Sequence, residues 1–304
     1  MKKQKKRINL SNFELTTLAL PGLLYFFVFC YLPMFGVIIA FKKYNYAKGI
    51  LGSKWIGFKN FEFFFTSQDA LRITRNTVLY NIVFITVGIL CAVIVALLLY
   101  EIKEKYLIKT FQTSMNLPNF LSWVIVGYIA YILLNPNYGV FNQIIRFFGG
   151  NGISWYSETK YWPYILTGFN IWKNVGIDSI IYYAALLGIS KELYEAAEID
   201  GANKLQKVFH VSVPQLIPII TILAITKVGN IMRGDFGLFY QIPRDIGILY
   251  PVTDVIDTYV YRGLKGGDMG ISSAVGLFQS IIGLILVTLT NYIVKKIEPD
   301  NAMF

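Results

Sequence analysis

Thr16 to Phe41 is a run of 26 residues without a charged side chain, and nothing else in the sequence limits its folding as much. An α-helix rises about 1.5 Å per residue and the hydrocarbon core of a bilayer is roughly 30 Å thick, so about 20 apolar residues cross it. Inside that core only helices or a closed barrel satisfy their own backbone groups. Comparable runs recur at Asn76 to Tyr100, about Leu117 to Leu134, within Tyr161 to Ser190, within Pro214 to about Met232, and from Met269 to Val294. The expected fold is therefore an all-α membrane protein with six transmembrane helices, a single domain over residues 1–304. With 55% hydrophobic and only 15% charged residues, the chain is too apolar for an ordinary soluble domain.

Sidedness is carried by the N-terminus. Lys2, Lys3, Lys5, Lys6 and Arg7 precede the first run and make residues 1–15 a basic tail that stays in the cytosol. Over the whole chain Lys and Arg divide evenly between the two sides, so the density of this cluster beside the first run decides the orientation. A cleaved signal would have a shorter apolar stretch ending at small residues, so the first run is read as an uncleaved span bent at Pro33. Six spans then place both termini in the cytosol. Short helices are expected on the outer side at Tyr138 to Phe148 and around Val252, Val255, Ile256, Tyr259 and Val260, the latter resting on the outer leaflet. On that helix Asp254 and Asp257 are assigned to its solvated face.

Several chemistries are excluded. The formal charge of +10 is spread over short loops without an aromatic and basic groove, which favours membrane lipid over nucleic acid as partner. Cys30 and Cys91 fall in apolar runs and suggest neither a disulfide nor a metal site. No G-x-x-x-x-G-K-[ST] phosphate loop exists, and His210 is the only histidine. Neither a catalytic nor a metal-binding residue is assigned, and no cofactor is expected in this chain.

Residues 189–215 stand out as a polar segment between two late spans. Glu195, Ala196, Ala197 and Asp200 suit a short helix, Gly201 frees the backbone to bend, and a second helical piece starts near Lys204. Leu193, Leu205, Val208 and Phe209 supply an apolar face for a partner. Glu195-Ala196-Ala197, then Gly201 after three residues, then Val211, Val213 and Pro214 resembles the EAA loop of the membrane subunits of ATP-binding-cassette importers. Val211 and Val213 stand where the family usually has Ile and Leu. The segments Pro21–Tyr25, Ile39–Asn45, Trp55–Phe61 and Asp254–Tyr261 are similar to the oligosaccharide and polysaccharide permease branch, related in fold to the maltose-type permeases.

That resemblance implies the type I ABC importer permease fold and a non-enzymatic subunit. Its partners would be a second permease subunit in a heterodimer, two cytosolic ATPase subunits holding ATP and Mg, and an extracytoplasmic solute-binding protein. Glu195, Ala196, Ala197, Asp200 and Gly201 would couple the ATPase to the spans, and the cargo would be an oligosaccharide or glycan moved by alternating access. On span four Asn170, Lys173 and Asn174 share a helical face, as do Lys227 and Asn230 on span five. By position in the family these are the expected substrate-binding residues, amides suiting sugar hydroxyls because each donates and accepts. The alternative is a secondary transporter or channel subunit driven by an ion gradient, whose ionisable residues would be limited to Lys173, Asp178 and Lys227.

Overall fold

The computed structural model describes residues 10–297, with side chains from 16 to 296, and is helical nearly throughout. The basic residues Lys2 to Arg7, on which the placement of the tail rests, lie outside the described residues. Helix α1 (Leu10–Phe26) continues through a π turn at Phe27–Tyr31 and a 3₁₀ stretch at Phe35–Phe41. Pro33 between them lacks an N–H and crowds the carbonyl one turn earlier, and the looser turn before it and the tighter one after absorb both defects. A two-stranded hairpin follows, β1 (Lys42–Lys43) antiparallel to β2 (Lys54–Trp55), with Lys42 opposite Trp55.

Apart from single turns such as Gly49–Gly52 and Tyr250–Thr253, the helices that follow are α2 (Lys59–Thr66), α3 (Gln68–Glu101), α4 (Lys105–Phe120), α5 (Trp123–Leu133), α6 (Val140–Phe147), α7 (Trp162–Leu187), α8 (Lys191–Ile199), α9 (Lys204–Lys207), α10 (Val213–Gly229), α11 (Phe236–Gln241), α12 (Ile256–Gly266) and α13 (Met269–Ile297). A π turn at Val208–Ser212 joins α9 to α10. By length and apolar composition four helical paths among the described residues can cross a membrane: Thr16–Phe41, α3, Lys204–Gly229 and α13. Helices α4 and α5 make a fifth if taken together, but they bend by 97° at their junction. The single span expected from Leu117 to Leu134 is thus corrected to a broken one. Pro118 lies in the last turn of α4, Leu121 is extended, and Ser122 restarts the helix by accepting a hydrogen bond from Ile125 N at 3.3 Å. Helix α7 has 26 residues, enough to cross, but Asn170, Lys173, Asn174 and Asp178 make it more polar than the others.

Helices α3 and α7 pack along most of their length. Ala92 and Ala96 on α3 are fully buried, one turn apart, against Tyr182 and Leu186 of α7 and Leu216 of α10. Small side chains let the backbones approach, which matters where lipid is as apolar as any core. Gly176 does the same for α4 and α7, since a Cβ there would overlap the Met115 carbonyl. At the other end of the bundle larger residues close the core, among them Trp162, Leu166, Leu238 and Phe239.

The stretch around α12 departs from expectation. Its apolar side packs on the bundle: Ile256 is buried, and Tyr259 and Val260 pack with Phe64 and Val275. Asp254 has no exposed side-chain surface and accepts from Thr258 Oγ1 at 2.8 Å while Arg262 and Arg72 approach it at 2.5 and 3.3 Å. Asp257 accepts from Gly234 N at 2.6 Å and Gln279 Nε2 at 3.1 Å. Neither carboxylate is on a solvated face. Spacing separates apolar from polar residues on a helix, but a polar face with arginines and amides opposite it is buried as readily as the apolar one.

Candidate functional site

Two features fit a transport role: the exposed helical pair α8–α9 and a polar cavity between α3, α7 and α10. The pair is built by its caps. Ser190 accepts from Glu192 N at 3.3 Å to start α8. The helix closes with Ala202 N bonded to Ala197 O at 2.9 Å and Gly201 N to Glu198 O at 3.0 Å. Those two bonds form a Schellman cap that requires a left-handed residue, and Gly201 supplies it at φ +78°. Asn203 and Gln206 then form a reciprocal capping box with bonds of 2.9 and 2.7 Å that starts α9. The bend expected at Gly201 and the helical restart at Lys204 are both present.

Side chains pin this pair to the bundle. Tyr194 Oη lies 2.9 Å from Ser212 Oγ, and Lys204 reaches Glu101 of α3 at 2.9 Å. Lys207 bonds Glu198 at 2.6 Å, and this hydrogen bond and charge hold the Glu198 carboxyl below its ordinary pKa. Glu195, Ala196, Asp200 and Gly201 are exposed and Ala197 half-buried. Leu205 and Phe209 are 68% and 65% exposed, so an apolar strip faces outward beside the acidic residues.

The cavity has a volume of about 500 Å³, within the range of roughly 300–1,000 Å³ common for ligand sites. Asn170, Asn174 and Asp178 of α7 line it, with Lys227 and Asn230 opposite. Lys227 Nζ lies 2.6 Å from Asp178 Oδ2. Asn81 of α3 also lines the cavity and donates to the carbonyls of Ile231 and Arg233 at 2.9 and 3.0 Å. A second cavity of about 590 Å³ adjoins it, sharing Asn230 and Arg233 and reaching Gln279 and Gly283 of α13. Asp235 caps α11 by accepting from Leu238 N at 3.2 Å; burial pushes its pKa up, against the lowering by Leu238, Trp123 and Gly237.

Lys173 is the exception among the expected residues. It shares the helix with Asn170 and Asn174, yet it does not line the cavity. Its ammonium donates to the carbonyls of Pro118, Asn119 and Leu121 at 3.1, 2.9 and 2.5 Å and lies over the Trp123 ring. It satisfies the carbonyls left open where α4 ends, which places it in the helix break. Asn81, Asp178 and Arg233 were not among the expected site residues. Their signal in sequence was only a polar side chain in or beside an apolar run.

A family model for the binding-protein-dependent transport system inner membrane component matches residues 72–300. The chain is 36% identical to the polygalacturonan/rhamnogalacturonan transport system permease protein YteP of Bacillus subtilis, over 99% of this chain and 94% of the relative. It is equally identical to Protein LplB of the same organism, over 93% and 89%. Among solved structures, it superposes on a chain of a bacterial ABC transporter involved in import of the acidic polysaccharide alginate, with a TM-score of 0.85, 31% identity, and coverage of 95% and 97%. A second structure of an alginate ABC transporter, in complex with alginate pentasaccharide-bound periplasmic protein, matches with a TM-score of 0.84 at 31% identity, over 94% and 96%.

Proposed function

The chain belongs to the family of binding-protein-dependent transport system inner membrane components, as a carbohydrate ABC importer permease, and we propose that it moves an oligosaccharide by alternating access powered by ATP on other subunits. In this reading the complex holds a second permease subunit, two ATPase subunits that bind ATP and Mg, and a solute-binding protein outside. The chain crosses the membrane six times with both termini in the cytosol. Helix α7 is the sixth span, its polar residues tolerated because they face a cavity and a helix break instead of lipid.

One observation carries the reading. The exposed pair α8–α9 runs on into α10 through the π turn at Val208–Ser212 and joins α7 through the short turn at Gly188, Ile189 and Ser190, and the facing sides of α7 and α10 line the polar cavity. A push on Glu195, Ala196, Ala197 and Asp200 is therefore delivered to the cavity walls through short connections on either side. The Schellman cap at Gly201 keeps the two short helices at a fixed angle, and the Lys204–Glu101 and Tyr194–Ser212 contacts tie them to α3 and to the π turn before α10. Closure of the ATPase pair would rock the helices and reverse the side on which the cavity opens. Within it, Asn170, Asn174 and Asn230 offer amides to sugar hydroxyls, with the Lys227–Asp178 pair beside them, while Lys173 acts through the geometry of the α4–α5 break.

Substitution of the loop tests this. In a complex reconstituted with its ATPase, Glu195→Lys or Gly201→Val abolishes ATP-dependent uptake and weakens ATPase retention on purification, while membrane insertion is unchanged. Full uptake in both variants would reject the loop as the coupling element.

A further inference from the structure

The arginines divide sharply. Among the described residues Arg72 and Arg262 pair with Asp254, and Arg75 contacts Asn76. Arg146 donates to the carbonyls of Pro136 and Asn137, and Arg244 lies over the Tyr131 ring. The guanidinium of Arg233 has no ion pair, hydrogen bond or ring contact among the described residues. It nevertheless lines both polar cavities, at the junction where they share Asn230.

Its backbone, by contrast, is held on both sides. Arg233 N bonds Asn230 O at 2.9 Å, its carbonyl accepts from Asn81, and the next amide, Gly234 N, is bonded to Asp257. The side chain therefore leaves a fixed point and keeps all its donors free. The carboxylates around it take their hydrogen bonds elsewhere: Asp178 from Lys227, Asp235 from the N-terminus of α11, and Asp257 from Gly234 and Gln279. The Arg233 side chain is exposed to the cavities, and Asp257, on the wall of the second one, feels its charge without bonding it. A planar guanidinium with free donors matches a carboxylate through two parallel hydrogen bonds.

We propose that this path carries an anionic glycan and that Arg233 binds a carboxylate of its uronate units, while the asparagines on either side take the hydroxyls. The proposal rests on the importer reading above and adds the charge of the cargo and the residue that recognises it. A neutral sugar would leave the charge of the Arg233 donors unused throughout transport, whereas a uronate chain lying across both cavities would pass its carboxylates over one fixed guanidinium.

The test compares two cargoes in proteoliposomes containing the assembled complex, each presented at saturation of the solute-binding protein: trigalacturonate and its carboxyl-reduced, neutral counterpart. Arg233→Gln should lower trigalacturonate uptake tenfold or more and change uptake of the neutral trisaccharide less than twofold, with Arg233→Lys intermediate for the acidic sugar. Equal loss for both sugars, or loss for neither, would overturn the role of Arg233. Import of neutral oligosaccharides alone by the unsubstituted complex would overturn the anionic cargo while leaving the importer reading intact. Absence of any ATP-dependent saccharide uptake would instead overturn that reading, and this inference with it.

Discussion

Lys227 Nζ and Asp178 Oδ2 lie 2.6 Å apart, joining α10 to α7 beside the polar cavity. Their side chains are 36% and 25% exposed, so water screens the pair in part. Removing one partner leaves an uncompensated charge; fully buried, that costs about 3–5 kcal/mol, and for a pair this exposed about 1 kcal/mol is expected. Asp178→Ala and Lys227→Ala should each lower the thermal midpoint of the purified complex, and the double substitution should recover part of the loss. Additive losses would show that the pair is not coupled.

Lys173 should behave differently from the cavity residues. Lys173→Met leaves the carbonyls of Pro118, Asn119 and Leu121 without their donor, and a charged hydrogen bond contributes about 1.5–3 kcal/mol. A clear drop in thermal stability is expected, with substrate dependence unchanged in whatever fraction remains assembled. A stable variant with a weakened response to substrate would return Lys173 to the transport path.

Gly201 adopts φ +78° with no atom near the position a Cβ would take, so substitution there acts through the backbone alone. A non-glycine residue in this conformation costs about 1–2 kcal/mol, enough to shift the Schellman cap. Gly201→Ala should reduce coupling while Gly266→Ala, a glycine with open space and ordinary φ, should leave uptake within twofold. Equal effects would remove the cap from the account.

The Asp235 carboxyl has its pKa raised by burial. The folded chain thus holds this proton more tightly than the unfolded one, so the group's contribution to stability is present at low pH and lost as pH rises through the folded-state value. Asp235→Asn retains a capping oxygen but cannot ionise. Between pH 4 and pH 7 the thermal midpoint of the wild type should fall relative to that of the variant. A relative rise would contradict the sign.

Fold class and the bend at Gly201 were legible because charge-free length and a glycine after a helical acidic stretch are local signals. The break between α4 and α5 was hidden, since Pro118 and Ser122 sit in a run whose apolar character does not falter. Helical spacing placed Asn170, Lys173 and Asn174 together, but rotation along a long flexible side chain carries the Lys173 ammonium to another helix. Asp178 with Lys227, and Asp254 with Arg72, are contacts between distant segments that no periodicity encodes. For Arg233 the signal was an absence of bonded partners, visible only once the other described arginines had been placed.

In the proposed mechanism transport is driven by ATP on another chain, and uptake under separated energy sources decides between that and an ion gradient. Proteoliposomes holding the two permeases and the ATPase, with the loaded solute-binding protein outside and ATP inside, should accumulate oligosaccharide in the presence of ionophores that collapse all ion gradients. Uptake should stop when the ATPase is omitted. Accumulation that needs an ion gradient and persists without the ATPase would contradict the account.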